Sequence, residues 1–410
     1  MYKLRDYQEE LSIKACDILK DLNLVCLFLE VRTGKSLTAL NTSYLYGAKN
    51  ILFITKKKAI SSIQDDYTKF NYDQHFKITI INRESLHKLE SNTFDLVVID
   101  ECHGYGSFPK KSKYFKDVNA LFGNLPMILL SGTPTPESYS QYFHSLGLSN
   151  ASPFAQYKSF YKWANMFVNI KKVQLGYAVV NDYKDANIEM IKPFVNPYIL
   201  TYTQKEAGFT TSINEHILEV EMKPITYKLC KQLTKDKFIE GKEKEIIADT
   251  AVKLQSKLHQ LFSGTIKFED GTSNVIDTSK AEFIKNHFKN KKIGIFYKFK
   301  EEYNALKQVF LDDLTNDLDT FNASDKHIAL QFQSGKEGIS LKQADALIFY
   351  NIDFSSSTYW QSRDRMSTMQ RLENNVYWIF AKDGIEQKIY KSVLAKKSYT
   401  VNIFKKDFVS

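Results

Sequence analysis

Two adjacent carboxylates, Asp100 and Glu101, close the apolar run Val97-Val98-Ile99 and are followed at once by Cys102 and His103. At a strand end, one such carboxylate can hold a magnesium ion while the other orients or deprotonates water. Upstream, Glu30-Val31-Arg32-Thr33-Gly34-Lys35-Ser36 follows directly on the apolar run Leu24–Leu29. In a turn of this kind backbone N–H groups and a helix N-terminus surround phosphates, the lysine reaches the β/γ oxygens, and the hydroxyl ligates magnesium. The full phosphate-loop pattern G-x-x-x-x-G-K-[ST] is not met. Its first Gly position is Leu29, and Arg32 stands where motor ATPases often carry Gly. The short fragment is a weak signal by itself. It gains weight from Leu37-Thr38-Ala39-Leu40, which reads as a helix start, and most from Asp100-Glu101 at a second strand end. Ile128-Leu129-Leu130-Ser131-Gly132-Thr133-Pro134 comes third. The three in this order make an ATP-driven motor the expectation, with Lys35 and Ser36 on the phosphates, Asp100 on magnesium and Glu101 on water. His103 reads equally as a coupling residue or as a satisfied polar side chain.

Those side chains need a scaffold that brings loop ends together. Residues 1–135 alternate amphipathic stretches with short aliphatic runs: Leu24–Leu29, Ile51–Thr55, Lys77–Ile81, Leu96–Asp100 and Met127–Ser131. Such runs read as buried parallel strands joined by helices. A second series, Ile293–Tyr297, His327–Phe332, Ala346–Tyr350 and Val376–Phe380, predicts a second α/β unit. Between them, 152–202 is rich in Tyr, Phe, Lys and Asn, with Pro193 and Pro197 set against any long helix. The Lys/Glu-rich stretch 224–262 places Ile246, Ile247, Leu254, Leu258 and Leu261 at helical spacing, which predicts one or two long surface helices. Residues 266–276, with Asp270-Gly271 at the centre, read as a hairpin.

With 410 residues, 43% of them hydrophobic, the chain can bury a sizeable core and form two or three domains. Its 56 Lys and Arg against 47 Asp and Glu give a net charge of +9. That balance fits a polyanion such as nucleic acid, and also fits many mildly basic soluble proteins. Cys16, Cys26, Cys102 and Cys230 form no C-x-x-C pair. They argue against a zinc site or disulfide framework and point to a reducing cytoplasm. The first eight residues lack the apolar core of a signal peptide, and no apolar run approaches the ~18 residues of a membrane span.

On these residues the sequence resembles the superfamily 2 helicases and translocases, DEAD/DEAH-like ATPases, and is most similar to the Swi/Snf-type branch carried by bacterial viruses. The resemblance covers nearly the whole chain. Leu4-Arg5-Asp6-Tyr7-Gln8 resembles the opening segment whose Gln reads adenine, which implies Arg5 and Gln8 as nucleotide contacts. Residues 30–36 resemble motif I, bringing Thr33 and Gly34 in beside Lys35 and Ser36. Residues 100–103 resemble motif II. Residues 131–134 resemble motif III, and Ser131 and Thr133 are implied as coupling residues with His103. Thr55-Lys56-Lys57-Lys58 and Asn82-Arg83-Glu84-Ser85-Leu86 stand where motifs Ia and Ib touch the nucleic-acid backbone, implying Lys57, Lys58 and Arg83. Ile295-Phe296-Tyr297-Lys298 matches motif IV, and residues 334–341 with Ala344, Asp345 and Ile348 resemble motif V. These imply Lys298 and Lys336 on the backbone and Gly338 at the nucleotide. Gln361-Ser362-Arg363-Asp364-Arg365 resembles motif VI. The family's further Arg, three residues on from Arg365, is here Thr368. Either Arg365 is the second arginine and Arg363 takes the first role, or Arg371 reaches in. Since at least one cation must meet the developing γ-phosphate charge, Arg365 is expected to act first, with Arg363 and Gln361 beside it. The segment 378–386 is similar to phage-encoded members.

The fold so implied is α/β, with two tandem RecA-like lobes, parallel sheets flanked by helices, the ATP site in the cleft between them, and helical insertions. Lobe 1 is expected over 1–203 with an accessory segment from about 151, and lobe 2 over 204–410 with a helical protrusion at about 224–262. The implied function is an ATP-dependent DNA helicase or translocase of phage replication, recombination or repair. It would use ATP and Mg2+ and hold duplex or single-stranded DNA by its backbone, without sequence preference. Replication or recombination proteins are its expected partners. It is expected as a monomer in the cytoplasm, the host's if the chain is viral, with no membrane involvement. The alternative is a motor subunit without autonomous unwinding that acts with a nuclease or other partner. Intact Lys35, Ser36, Asp100 and Glu101 argue against a binding module that has lost hydrolysis. The second α/β unit argues against a metabolic P-loop kinase.

Overall fold

Short aliphatic runs with no polar face are satisfied only in a sheet covered on both sides, and these runs build two such sheets. The computed structural model describes residues 2–89, 93–175, 178–208, 212–240, 244–332, 341, 343–353 and 373–397. Two compact units form, the first built mainly from residues up to Gly208 and joined by the chain from Lys396 on, the second spanning Phe209–Ala395.

The first unit contains β1 (Leu24–Leu29), β2 (Asn50–Thr55), β3 (Lys77–Asn82), β4 (Leu96–Ile99), β5 (Met127–Leu130), a separate hairpin of β6 (Lys171–Leu175) and β7 (Ala178–Asp182), and β8 (Ile199–Tyr202). The main sheet has the order β3-β2-β4-β5-β1-β8, with every neighbouring pair parallel. Helices α1 (Asp6–Leu22), α2 (Lys35–Tyr46) and α3 (Ile60–Lys69) cover one face, where Leu11, Leu19, Leu40 and Ile63 meet Val25, Leu27, Val98 and Ile128. The other face carries α4 (Lys113–Phe122), α5 (Gln141–Leu146), α6 (Phe160–Phe167) and α7 (Ile188–Val195), where Phe115, Leu146, Trp163 and Ile191 meet Cys26, Phe28, Val97 and Leu129. Alternate residues of each strand thus feed opposite cores, which is why the runs are apolar throughout. Pro193 sits inside α7, a helix of only 8 residues.

The second unit begins with β9 (Ser212–Val220). An insert follows, made of α8 (Pro224–Asp236), the hairpin β10 (Phe238–Glu240) and β11 (Glu245–Ile247), α9 (Ala251–Phe262), and the hairpin β12 (Thr265–Lys267) and β13 (Ser273–Val275). It has a small core of its own around Cys230, Leu233, Ile246, Leu261 and Ile266. The expected long helices are therefore two helices with a hairpin between them. Lys237 turns left-handed at φ 59° and ends α8, and Ile246 and Ile247 lie in a strand rather than on a helix face. The Asp270-Gly271 turn forms as expected, with Gly271 at φ 86° and the Asp270 carboxylate accepting from Thr272 N–H and Oγ–H. Then come α10 (Ser279–His287), β14 (Ile293–Tyr297), α11 (Lys300–Phe310), β15 (Leu314–Thr315), α12 (Leu318–Ala323), β16 (His327–Gln331), β17 (Ala346–Phe349), β18 (Glu373–Ala381) and α13 (Glu386–Lys397). This sheet, of order β15-β16-β14-β17-β18-β9, is again wholly parallel. Both units are parallel-sheet α/β layers of the RecA-like kind. No described helix is long and apolar enough to cross a membrane.

Candidate nucleotide site

In an open parallel sheet, ligands gather at the carboxyl ends of the strands. β4, β5 and β1 are successive neighbours, so the loops that leave them meet at one edge. The loop after β1 turns through Arg32 at φ 64° and Gly34 at φ 82° before α2 starts at Lys35. Gly34 is required here. A Cβ at this position would lie 2.0 Å from Gln8 Nε2. The first turn of α2 carries no acidic residue, so its N–H groups and helix dipole offer an uncompensated positive end. Thr33 is buried, its hydroxyl donating to Glu30 O at 2.7 Å, and its carbonyl accepts from Tyr7 OH at 3.0 Å and Gln8 Nε2 at 3.4 Å. Gln8 Oε1 accepts from Arg5 N–H at 3.0 Å, and Arg5 donates to Tyr7 OH at 3.0 Å. Arg5, Gln8, Thr33, Gly34 and Lys35 are thus drawn together, with the Gln8 amide turned onto the loop.

Asp100 follows β4, its N–H donating to Ile54 O at 2.8 Å. Its carboxylate accepts from Thr55 Oγ–H at 2.8 Å and from Glu101 N–H at 2.9 Å. Burial, and then the Glu101 charge, push the Asp100 carboxyl up to about 6. The Thr55 hydroxyl and the Lys35 and Lys56 charges act the other way. Glu101 takes a left-handed turn at φ 50°. His103 Nδ1 lies 3.2 Å from Glu101 Oε2 and 3.0 Å from Ser131 Oγ. Ser131 Oγ in turn accepts from Thr133 N–H at 3.1 Å. A carboxylate-to-loop chain therefore runs Glu101–His103–Ser131–Thr133. The loop after β5 also lies against the phosphate loop, because a Cβ on Gly132 would stand 3.3 Å from Val31 Cγ1 and 3.4 Å from Lys35 Nζ.

The model of the SNF2-related domain matches residues 22–268, more than half of the chain and all three of these loops. The chain belongs to the SNF2-related family. No curated protein matches it. Among solved structures it is similar to the Sulfolobus solfataricus SWI2/SNF2 ATPase core domain, at 16% identity and TM-score 0.43, over 100% of this chain and 91% of that one. It is also similar to that core in complex with dsDNA, at 16% identity and TM-score 0.40, over 99% and 93%. The SNF2-related chain is an enzyme, an ATPase of the nucleic-acid-dependent type.

The donors at this edge of the SNF2-related ATPase suit a nucleotide with magnesium. Magnesium keeps several waters and takes one or two carboxylates together with phosphate oxygens. It needs no cluster of three acidic or His/Cys ligands, and none occurs among the described residues. Asp100, raised by burial and then by its neighbour's charge, is a carboxylate that a bound cation would relieve.

The expected nucleic-acid contacts are placed unevenly. Lys57 is exposed in the turn after β2, at the same sheet edge. Lys58 belongs to the backbone of that turn. Arg83 sits after β3, but its guanidinium lies 4.8 Å over the Tyr114 ring and its Nε is 2.8 Å from Glu84 Oε1. Lys298, at the end of β14 in the second unit, is ion-paired with Asp353 at 2.9 Å. Lys336, Gly338, Gln361, Arg363, Arg365 and Arg371 lie outside the described residues. The sequence reading missed Thr55 as a partner of Asp100, and Glu30, Tyr202 and Gln204 around the phosphate loop. A Thr closing a strand beside the carboxylate strand was a usable signal for the first. No local pattern marks the others.

Proposed function

We propose that this SNF2-related ATPase is a DNA motor, which uses ATP hydrolysis to move along DNA or to unwind it, in phage replication, recombination or repair. The observation that carries this reading is the Glu101–His103–Ser131–Thr133 chain, which ties a carboxylate suited to activating water to a neighbouring loop. An ATPase with no work to couple has no need of it. Bound ATP with Mg2+ would supply the γ-phosphoryl group and a cation on its oxygens. Ser36 and Asp100 would hold the cation. Lys35 would place charge on the β/γ oxygens, and Glu101 would orient water and take its proton. Arg365 and Arg363 are proposed to stabilise the developing charge. Exposed Lys57 and the net charge of +9 support a phosphate backbone as the partner. The phage assignment rests on the resemblance of 378–386.

The test is phosphate release measured in parallel with no nucleic acid, single-stranded DNA, duplex DNA and RNA. Stimulation by DNA supports the proposal, and equal rates in all four refute it. Displacement of a third strand from a triplex, run beside strand separation of a plain duplex, separates a motor without unwinding activity from a helicase.

A further inference from the structure

The phosphate loop is held from one side by the segment that leads out of its own unit. β8 pairs with β1 so that Tyr202 stands opposite Leu29, and the chains leaving the two strands run side by side. The ladder continues one step, with Glu30 N–H donating to Tyr202 O at 2.9 Å. Side chains then extend it. Gln204 N–H donates to Glu30 Oε2 at 2.8 Å, and Gln204 Nε2 donates to Val31 O at 2.9 Å. On the far side Tyr7, which bonds Thr33 O, stacks on Tyr202 with centroids 4.6 Å apart and planes 15° apart.

The two carbonyls held in this way, Val31 and Thr33, flank Arg32 in its left-handed conformation. A residue with a side chain keeps that conformation only where its surroundings over-determine it. In a planar trans peptide the C=O and N–H point in opposite directions. With Val31 O held by Gln204 the Arg32 N–H is aimed away from Gln204, and with Thr33 O held by Tyr7 and Gln8 the Gly34 N–H is aimed away from them. Those are the groups a phosphate would meet.

Gln204 is in turn part of a tight turn. Thr203 N–H and Oγ–H both donate to Glu206 Oε2, at 2.6 and 2.7 Å. Ala207 N–H donates to Thr203 O and Gly208 N–H to Lys205 O, both at 3.1 Å. The long N-terminal segment of the first unit ends at Gly208. One end of this turn is bonded to the phosphate loop, and the other is the exit toward the second unit.

We infer that Gln204 is a positioning residue that couples the phosphate loop to the connection between the two units. When phosphates draw on the Arg32 N–H, the Val31–Arg32 peptide turns, and Gln204 carries that turn into residues 203–208. The inference rests on the motor reading above. Its test uses the full chain with one dye on an introduced cysteine at Lys20 and one at Lys289, both exposed. The four native cysteines are buried. The energy-transfer change on adding a non-hydrolysable ATP analogue with Mg2+ is read without nucleic acid, beside the analogue's affinity. Gln204→Ala should weaken affinity by about two- to tenfold, the range of one hydrogen bond. At saturating analogue it should show less than half of the wild-type change. Gln204→Glu, which keeps the shape but loses the donor, should match it. Arg32→Gly added to Gln204→Ala should restore affinity and leave the change small. Full wild-type change in either Gln204 variant overturns the coupling. So does restoration of both quantities by Arg32→Gly, which would reduce Gln204 to a support for a strained turn. If the wild-type protein binds analogue and shows no change at all, it is the motor reading that fails.

Discussion

The contact between His103 and Ser131 can be weighed by a double-mutant cycle. His103 Nδ1 is 3.0 Å from Ser131 Oγ and 3.2 Å from Glu101 Oε2. With the Glu101 carboxylate at ion-pair distance, the proton sits on Nδ1 and is donated to Ser131 Oγ. The His103 side chain is 13% exposed and Ser131 is fully buried, so water does little to replace the bond. A neutral intramolecular hydrogen bond contributes about 1 kcal/mol net. Ser131→Ala removes two, those with His103 and Thr133 N–H, and should cost about 2 kcal/mol. For a unit of this size that is a fall of about 4–8 °C in its unfolding midpoint. In DNA-stimulated turnover His103→Ala and Ser131→Ala should each lose about tenfold. The shared bond is worth about 1 kcal/mol, or roughly fivefold, so the double variant should lose about twentyfold rather than a hundredfold. The assay is phosphate release at saturating ATP and DNA for all four proteins, with calorimetry beside it. A hundredfold loss in the double variant, meaning independent effects, would refute the claim that the two residues act through one bond.

Lys35→Ala should weaken ATP binding, whereas Glu101→Gln should keep binding and lose turnover by about 10²–10⁴, the range for removal of a general base. Nucleotide titration beside phosphate release checks both, and a wild-type rate in Glu101→Gln excludes Glu101 from water activation. Burial holds His144 down to about 4 and His259 down to about 3, against an ordinary 6.5. The unfolded chain then binds more protons below pH 6.5, so stability is complete above that value and declines as pH falls from 6.5 toward 4 and 3. At pH 5 the loss is about 2 kcal/mol per histidine. Denaturant melts at pH 7.5 and 5 should show a shallower decline in His144→Gln and in His259→Gln, and an unchanged decline would show that neither histidine is held neutral. Lys280 Nζ lies 2.7 Å from Glu386 Oε1 with both side chains wholly buried. Lys280→Met should cost about 3–5 kcal/mol by stranding a buried carboxylate, and Lys280→Met with Glu386→Leu should recover most of it. A single variant as stable as wild type in thermal melts would contradict this.

Legibility followed burial. β1 and β14 run from Leu24 to Leu29 and from Ile293 to Tyr297, as the sequence pattern predicts, because strands covered on both faces have no polar position to blur them. β8 and β9 are edge strands, one short and one with Asn214, Glu215 and His216 interrupting its apolar residues, and neither stands out from the surrounding chain. The hairpin within 224–262 was masked because Ile246 and Ile247 happen to continue the spacing of the α9 apolar face. At the site, Lys35, Asp100, Glu101, His103 and Ser131 were legible because each lies within a few residues of a strand's end, in the segments that the carboxyl edge of a parallel sheet brings together. The partners that orient them were not. Thr55 meets Asp100 across 45 residues, and Gln204 meets Glu30 across 174, separations at which spacing holds no information.

The departures of this phosphate loop from its usual pattern have a common cause in the neighbouring strand. Leu29, at the position of the first glycine, is fully buried as the last residue of β1 and pairs with Tyr202. Because Glu30 still donates to Tyr202 O, the strand runs one residue further, and the turn that would need a glycine begins only afterwards. Arg32 takes up that turn in a conformation that costs a residue with a side chain about 1–2 kcal/mol. The carbonyls on both sides of it are bonded, by Gln204 and by Tyr7 with Gln8. Each of those bonds contributes on the order of 1 kcal/mol, enough together to offset the turn. The missing glycines are therefore weak grounds against nucleotide binding. Flexibility that other loops carry in their own residues is here replaced by contacts from α1 and from the segment after β8.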